Sequence, residues 1–358
     1  MFLTKNRICH TLAALPLFGA AIVSNAATAT PVPLFLTATN SSANGATNFL
    51  AVINTQTKQI TYVPTGGSGG ASGNAGGVAV QGSVAAVVNF GSSNVSIFVR
   101  RGNAMEPMQV IKTASPPVSV AFGNNHLVVL ELTTAESFPV YGDTVGASAD
   151  GTVPLLRGDG TAAQIVTYDG GVAYTEKSGS VAELSLSIDG VAGLSGPNVA
   201  VPLPPPPNNN TPFGLIGRGA NIYLTVAHSD LETLVVNGQI VSTAVGPTPY
   251  TDQFGNIIHA PCWNTLSGQF LFAADSPGNQ LLRYLVSDTS VFLDKQNVAK
   301  LAGSPTDLTA VGALLGVIDG GNGTVSNASL FDMSSEGELT LRFAVKIPSP
   351  INGAAIIQ

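Results

Sequence analysis

The chain has 358 residues, of which 10% are charged and 44% apolar, with 40 glycines and 23 prolines. Its formal net charge is −7, from 14 Lys and Arg against 21 Asp and Glu. That balance leaves no basic footprint for nucleic acid and no polybasic patch for anionic lipid, and the apolar share is too high for a disordered chain.

The first residues read as a targeting segment. Lys5 and Arg7 precede an apolar run over residues 12–23, and Ser24-Asn25-Ala26 makes a small-x-small cleavage site. The run is too short to span a bilayer. Removing residues 1–26 takes away two cations and no acid, moves the net charge to −9, and leaves Cys262 as the single cysteine. The expectation is a signal peptide over 1–26 and one secreted domain over 27–358, without an intrachain disulfide. Glycosylation triplets occur at Asn40, Asn94, Asn209, Asn322 and Asn327.

Beyond this segment no long run keeps a 3.6-residue apolar period. Short runs rich in Val, Ile, Leu and Thr alternate with Gly, Pro and Asn turns, which is an all-β pattern. Three strands come first, over residues 33–39, 49–54 and 59–63. Residues 66–73 (GGSGGASG) follow as a flexible surface connector.

A repeat then begins. Ala75 leads through two strands to Asn89, fourteen positions on. Pro117 leads through VSVAF, a GNN turn and LVVL to Glu131, and Ala162 reaches Glu176, both with the same spacing. A polyproline stretch at 202–210 (PLPPPPNNN) reads as a stiff surface loop. Pro212 then reaches His228 with two extra residues. Pro261 leads through a strand at 262–266, a Ser267-Gly268 turn and a strand at 270–274 to Asp275. Pro305 reaches Asp319 in the same way.

First strands begin 41 to 50 residues apart, a period that suits a four-stranded propeller blade. Each unit has room for a third and fourth strand. The three opening strands lack an innermost partner, and residues 353–357 (GAAII) supply one. Such a closure removes exposed edges. The predicted fold is a seven-bladed β-propeller closed by its C-terminal strand.

The stretches 260–286 (APCWNTLSGQFLFAADSPGNQLLRYLV) and 303–325 (GSPTDLTAVGALLGVIDGGNGTV) resemble the lactonase-like seven-bladed propellers. That group includes bacterial-type 6-phosphogluconolactonases and fungal 3-carboxymuconate-cyclising enzymes, and the resemblance covers the whole chain past the targeting segment. It implies a site in the mouth of the central channel and, for anionic substrates, cations there. Here Arg100, Arg283 and Arg342 fall on outer strands and Arg218 in a far turn, leaving Arg157 and Lys177 near the rim. A neutral, partly apolar ligand such as a secondary metabolite fits this acidic mouth better.

In a propeller the residue closing the second strand and the start of the first strand share one rim. The closing column reads Asn40, Asn89, Glu131, Glu176, His228, Asp275, Asp319. Asp and Asn end strands through short bonds to nearby backbone. Glu131, Glu176 and His228 depart from that chemistry in successive blades and are acid–base candidates. The second column, two residues past the entry, holds Gly77, Ser119, Gln164, Gly214, Trp263, Asp307 and Ala354. Trp263 reads as an apolar wall or as packing between blades, and Asp307 as a second acid or a backbone tie.

His259 precedes the sixth unit and should reach the mouth, facing His228; either imidazole is suited to moving a proton near neutral pH. His126, at a far turn, should be exposed on the opposite face. Cys262 has no cation beside it and reads as a buried, inert thiol. Trp263, Asp307, Gln164, Asp275 and Asp319 make up the expected ligand set. No metal-site or phosphate-loop pattern occurs, and calcium on Asp275 and Asp319 stays open as an alternative.

The sequence predicts a monomeric, cofactor-free acid–base enzyme that isomerises, cyclises or opens the lactone of a small molecule in the channel mouth. His228 or His259 would move the proton, with Glu131 or Glu176 as partner. The rival expectation is a non-catalytic propeller that binds a glycan or a protein. Turnover of a small molecule separates the two.

Overall fold

A computed structural model describes residues 31–358 except 44, 188, 204–210, 228–230, 247–249, 252–256, 259–260 and 321–323. The predicted leader, His228, His259 and most of the polyproline run lie outside the described residues.

The strands form seven antiparallel blades of four main strands each, and a two-residue pair joins Tyr250–Thr251 to Ile257–Ile258. Blade 1 is built from both ends of the chain. Its inner strand is Ile351–Ile357, followed outward by Leu34–Thr39, Phe49–Asn54 and Ile60–Pro64. The inner strands of blades 2 to 7 are Val78–Gln81, Pro117–Gly123, Ala162–Tyr168, Pro212–Arg218, Pro261–Ser267 and Pro305–Val311. Blade 3 carries one further two-residue strand, Thr144–Val145.

The entry proline recurs for a backbone reason. The first residue of an inner strand can give up its N–H, and proline is tolerated there. In blades 3, 6 and 7 the entry residue pairs with the column acid: Pro117 with Glu131, Pro261 with Asp275, Pro305 with Asp319. Immediately afterwards the register slips, in blades 4 and 5 as well. A bulge at this place bends the strand start and re-aims the next side chain. In blade 5 Pro212 pairs with Val226. Val226 therefore occupies the column there, and His228 lies two residues beyond it.

At the opposite rim Asn124 and Asn125 take φ of 48° and 56°. Two consecutive left-handed residues make the tight hairpin turn for which asparagine is suited. The closing strand uses Gly353 at φ 78°, where a Cβ would sit 2.2 Å from the backbone nitrogen of Val78. Only a bare backbone lets blade 1 approach blade 2 so closely.

The core lies between blades. Phe98, Phe138 and Phe272 are completely buried. Each such side chain contributes about 1.5–3 kcal/mol of burial. Arg100 reaches from blade 2 to the carbonyls of Ile357 and Val32, tying down both strands that close the ring.

Two expectations change. Residues 66–77 are not a free surface link. The segment crosses the channel mouth and is bonded along its length: the amides of Gly70 and Ala71 donate to Asn40 Oδ1, Ala75 N–H to Ala163 O, and Val120 N–H to Gly76 O. Lys177 donates to Gly73 O at 2.7 Å. His126 is not exposed. It is buried, with Nδ1 2.7 Å from Asn124 O and Nε2 2.8 Å from Asp150, whose other oxygen accepts from Ser137.

Candidate functional site

The crossing segment narrows the channel and leaves a cavity of about 400 Å³ at the rim over blades 6, 7 and 1. Its inner wall is the backbone of Gly70, Gly73 and their neighbours. Facing them are Trp263 from blade 6, Thr306 and Ser326 from blade 7, and Asn352 from blade 1. Among the described residues, no titratable side chain lines it.

Trp263 arrives here through the bulge that follows Pro261. Its indole meets Phe213 edge-on, with ring centroids 4.9 Å apart, and packs in one cluster with Ala75 of the crossing segment. Only 5% of the residue is exposed. It therefore serves both readings, as packing between blades and as a cavity wall.

Two polar atoms in this wall are buried without a hydrogen-bond partner, Asn352 Nδ2 and Ser326 Oγ. Such atoms cost about 1–3 kcal/mol each unless something supplies the missing bond. Native interiors contain few of them, and these two belong to residues of one cavity wall.

Asp307 lies one level deeper and is buried. Its Oδ2 accepts the N–H of Gly76 at 2.9 Å and of Ala354 at 3.2 Å, and its Oδ1 accepts Leu308 N–H at 2.8 Å. Burial pushes its pKa up to about 7, and the three amide bonds pull the other way. It works as the backbone tie joining the crossing segment to blades 7 and 1. Gln164 is also a tie: its Oε1 accepts Leu215 N–H at 2.8 Å, linking blade 4 to blade 5.

The closing-column acids do not line this cavity. Glu176 is fully buried and grips the incoming link of its blade, taking the N–H of Gly158 at 2.8 Å, of Arg157 at 3.1 Å, and the hydroxyl of Ser180. Glu131 is equally buried and takes Ser115 N–H and the Thr134 hydroxyl. Burial, then the neighbouring Glu136, pushes its pKa to about 8. Asp275 accepts from Gly278 N–H and Gln280 Nε2, and Asp319 from Asn327 Nδ2. The extra methylene of glutamate reaches the preceding inter-blade link, whereas Asp275 bonds Gly278 and Gln280 of its own turn. The departure from local turn chemistry at 131 and 176 thus has a backbone explanation.

Other expectations divide. Cys262 is a buried thiol whose pKa burial raises to about 11. Lys177 is committed to carbonyls of the crossing segment. The amides of Asn40, Asn94 and Asn327 bond to Ala71 O, to Ser92 and to Asp319. Among the described residues no three His, Cys, Asp or Glu side chains cluster as a metal site. Asn352, Ser326 and Asn74 were not singled out from sequence. Asn74 and Asn352 flank glycines in loop-like text, and their meeting across 278 residues leaves no local trace.

No family model and no curated protein matches the chain. Solved structures do. The periplasmic gluconolactonase of Pseudomonas aeruginosa superposes with TM-score 0.67 at 15% identity, covering 91% of this chain and 99% of that one. A 6-phosphogluconolactonase-like protein of Bacteroides fragilis gives 0.63 at 13%, covering 92% and 99%. A protein of Lactobacillus plantarum gives 0.63 at 16%, covering 92% and 100%. By its architecture the chain is thus a seven-bladed β-propeller, sharing its fold with these proteins.

Proposed function

We propose that the protein opens the ring of an uncharged, partly apolar lactone held in the cavity beside Trp263, without a cofactor. The observation that carries this reading is the pair of buried, unpartnered groups, Asn352 Nδ2 and Ser326 Oγ, set against an indole wall. Preorganised donors stabilise the charge that grows on a carbonyl oxygen under attack. The gluconolactonase and 6-phosphogluconolactonase-like structures support a lactone as the cyclic substrate. Among the described residues no cation lines the cavity, which supports a neutral one.

Water would bond to the acyl carbon, the ring C–O bond would break, and the leaving alkoxide would take up the proton that water gives away. His259, four residues before Trp263 in the chain, is the group proposed to carry that proton. Export follows from Lys5, Arg7 and the apolar run behind them, with the released domain acting as a monomer.

A second reading is favoured by a specific observation: no titratable side chain among the described residues lines the cavity. On that reading the propeller binds a small neutral molecule and does no chemistry. Proton release from δ-valerolactone by the wild-type protein, lost in His259→Ala and Trp263→Ala, is the expected result. Binding without proton release selects the second reading.

A further inference from the structure

Asn74 sits in the crossing segment, and its Nδ2 lies 2.5 Å from Val118 O and 3.2 Å from Asn352 Oδ1. A backbone carbonyl only accepts, so the Asn74 atom facing Val118 is the NH₂ group. That group has two hydrogens, one for each acceptor. Asn352 therefore turns its oxygen to Asn74 and its NH₂ away. The freed Nδ2 is the one buried without a partner, on a residue only 7% exposed in the cavity wall. Gly77 leaves room for this orientation, since a Cβ there would lie 2.6 Å from Nδ2.

We propose that Asn352 is the specificity-determining residue of the cavity, a donor whose direction is set by the Val118 carbonyl through Asn74. The site then takes an uncharged ligand that offers an acceptor oxygen to Asn352, with Ser326 Oγ as its second contact. A carboxylate is excluded by charge. Lys177 is already bonded to Gly73 O, and the Asp307 carboxyl lies beneath, against Gly76. The polarity of the ligand is thus written by a main-chain group two blades away from the residue that reads it. This proposal rests on the cavity being a ligand site, as proposed above.

Trp263 is the only tryptophan, so ¹⁵N-labelled protein shows one indole N–H resonance, and it reports this cavity. The wild type is titrated with δ-valerolactam, an uncharged ring with an acceptor carbonyl, and with glutarate. The expected result is a saturable indole shift with the lactam and none with glutarate. Asn352→Asp keeps the shape and the contact to Asn74 but replaces the donor by an acceptor. It should weaken the lactam at least tenfold. Asn74→Ala releases the amide to turn and should weaken it severalfold. Lactam binding equal to wild type in both variants overturns the role of Asn352 while the cavity remains a ligand site. If Asn352→Asp does not fold, equal binding by Asn74→Ala alone overturns it. No indole shift in the wild type overturns the cavity itself.

Discussion

Glu232 of blade 5 and Asn264 of blade 6 face each other inside the ring, with Asn264 Nδ2 3.0 Å from Glu232 Oε1. The two remaining atoms, Glu232 Oε2 and Asn264 Oδ1, are buried and have no other partner. A protonated carboxyl supplies a donor at Oε2, which an ionised one lacks. Burial pushes the Glu232 pKa well above the ordinary carboxylate range, consistent with that neutral form.

The consequence for stability has a definite sign. A carboxyl whose folded pKa is raised holds a proton that the unfolded chain gives up above about pH 4.3. Stability is then highest below that pH and falls as pH rises towards the folded value. Glu232→Gln imitates the neutral acid, so its urea midpoint should fall less than that of the wild type between pH 5 and pH 8. Glu232→Ala removes one of the two acceptors of the Asn264 amide, leaving it the Tyr223 carbonyl, and should cost about 1–3 kcal/mol at pH 5.

Asp307 tests the seating of the crossing segment. Its folded pKa of about 7 is also raised, so its contribution weakens as pH climbs from about 4 through 7. Asp307→Ala removes the acceptor for the Gly76 and Ala354 amides. Hydrogen exchange at those two amides should speed up by at least tenfold, while the amides of the inter-blade core keep their protection. Unchanged exchange at Gly76 would show that the segment is held without this carboxylate.

Glu176 separates a backbone clamp from an acid–base group. Glu176→Ala leaves the buried amides of Arg157 and Gly158 without their acceptor and should lower stability by about 2–4 kcal/mol. Lactam binding at Trp263 should be unchanged. A stable variant with lost turnover would return Glu176 to the catalytic machinery.

Closure can be tested by truncation. Deleting residues 351–358 removes the inner strand of blade 1 and the Ile357 carbonyl that Arg100 holds. The shortened chain should show no cooperative unfolding transition. Arg100→Ala, with the strand retained, should cost about 1–3 kcal/mol by urea melt.

Much of the fold was legible because strand alternation and turn residues are local signals. The fourteen-residue spacing corresponds to a real pairing, entry residue to column acid, in blades 3, 4, 6 and 7. It holds at Pro212 as well, whose partner Val226 is fourteen positions on; what failed there was the placing of His228 in the column, because the two extra residues lie beyond the second strand. Trp263 was legible as a cavity wall because it follows a recurring bulge. The column glutamates were misread, since their amide partners come from the link before the inner strand, and chain distance of 16 to 19 residues hides that contact.

Alternation, turns and period by themselves determined seven sheets of four strands and a C-terminal strand that completes the first. Only the tertiary structure decided what fills the middle. Seven of residues 66–77 are glycine and the rest are small, so nothing in their text marks them as more than a flexible link. Small size is what lets them enter the channel, where Asp307, Lys177 and Asn40 from three different blades supply the bonds that bare backbone requires. The cavity is the space that this crossing leaves, with Asn352 and Ser326 in its wall.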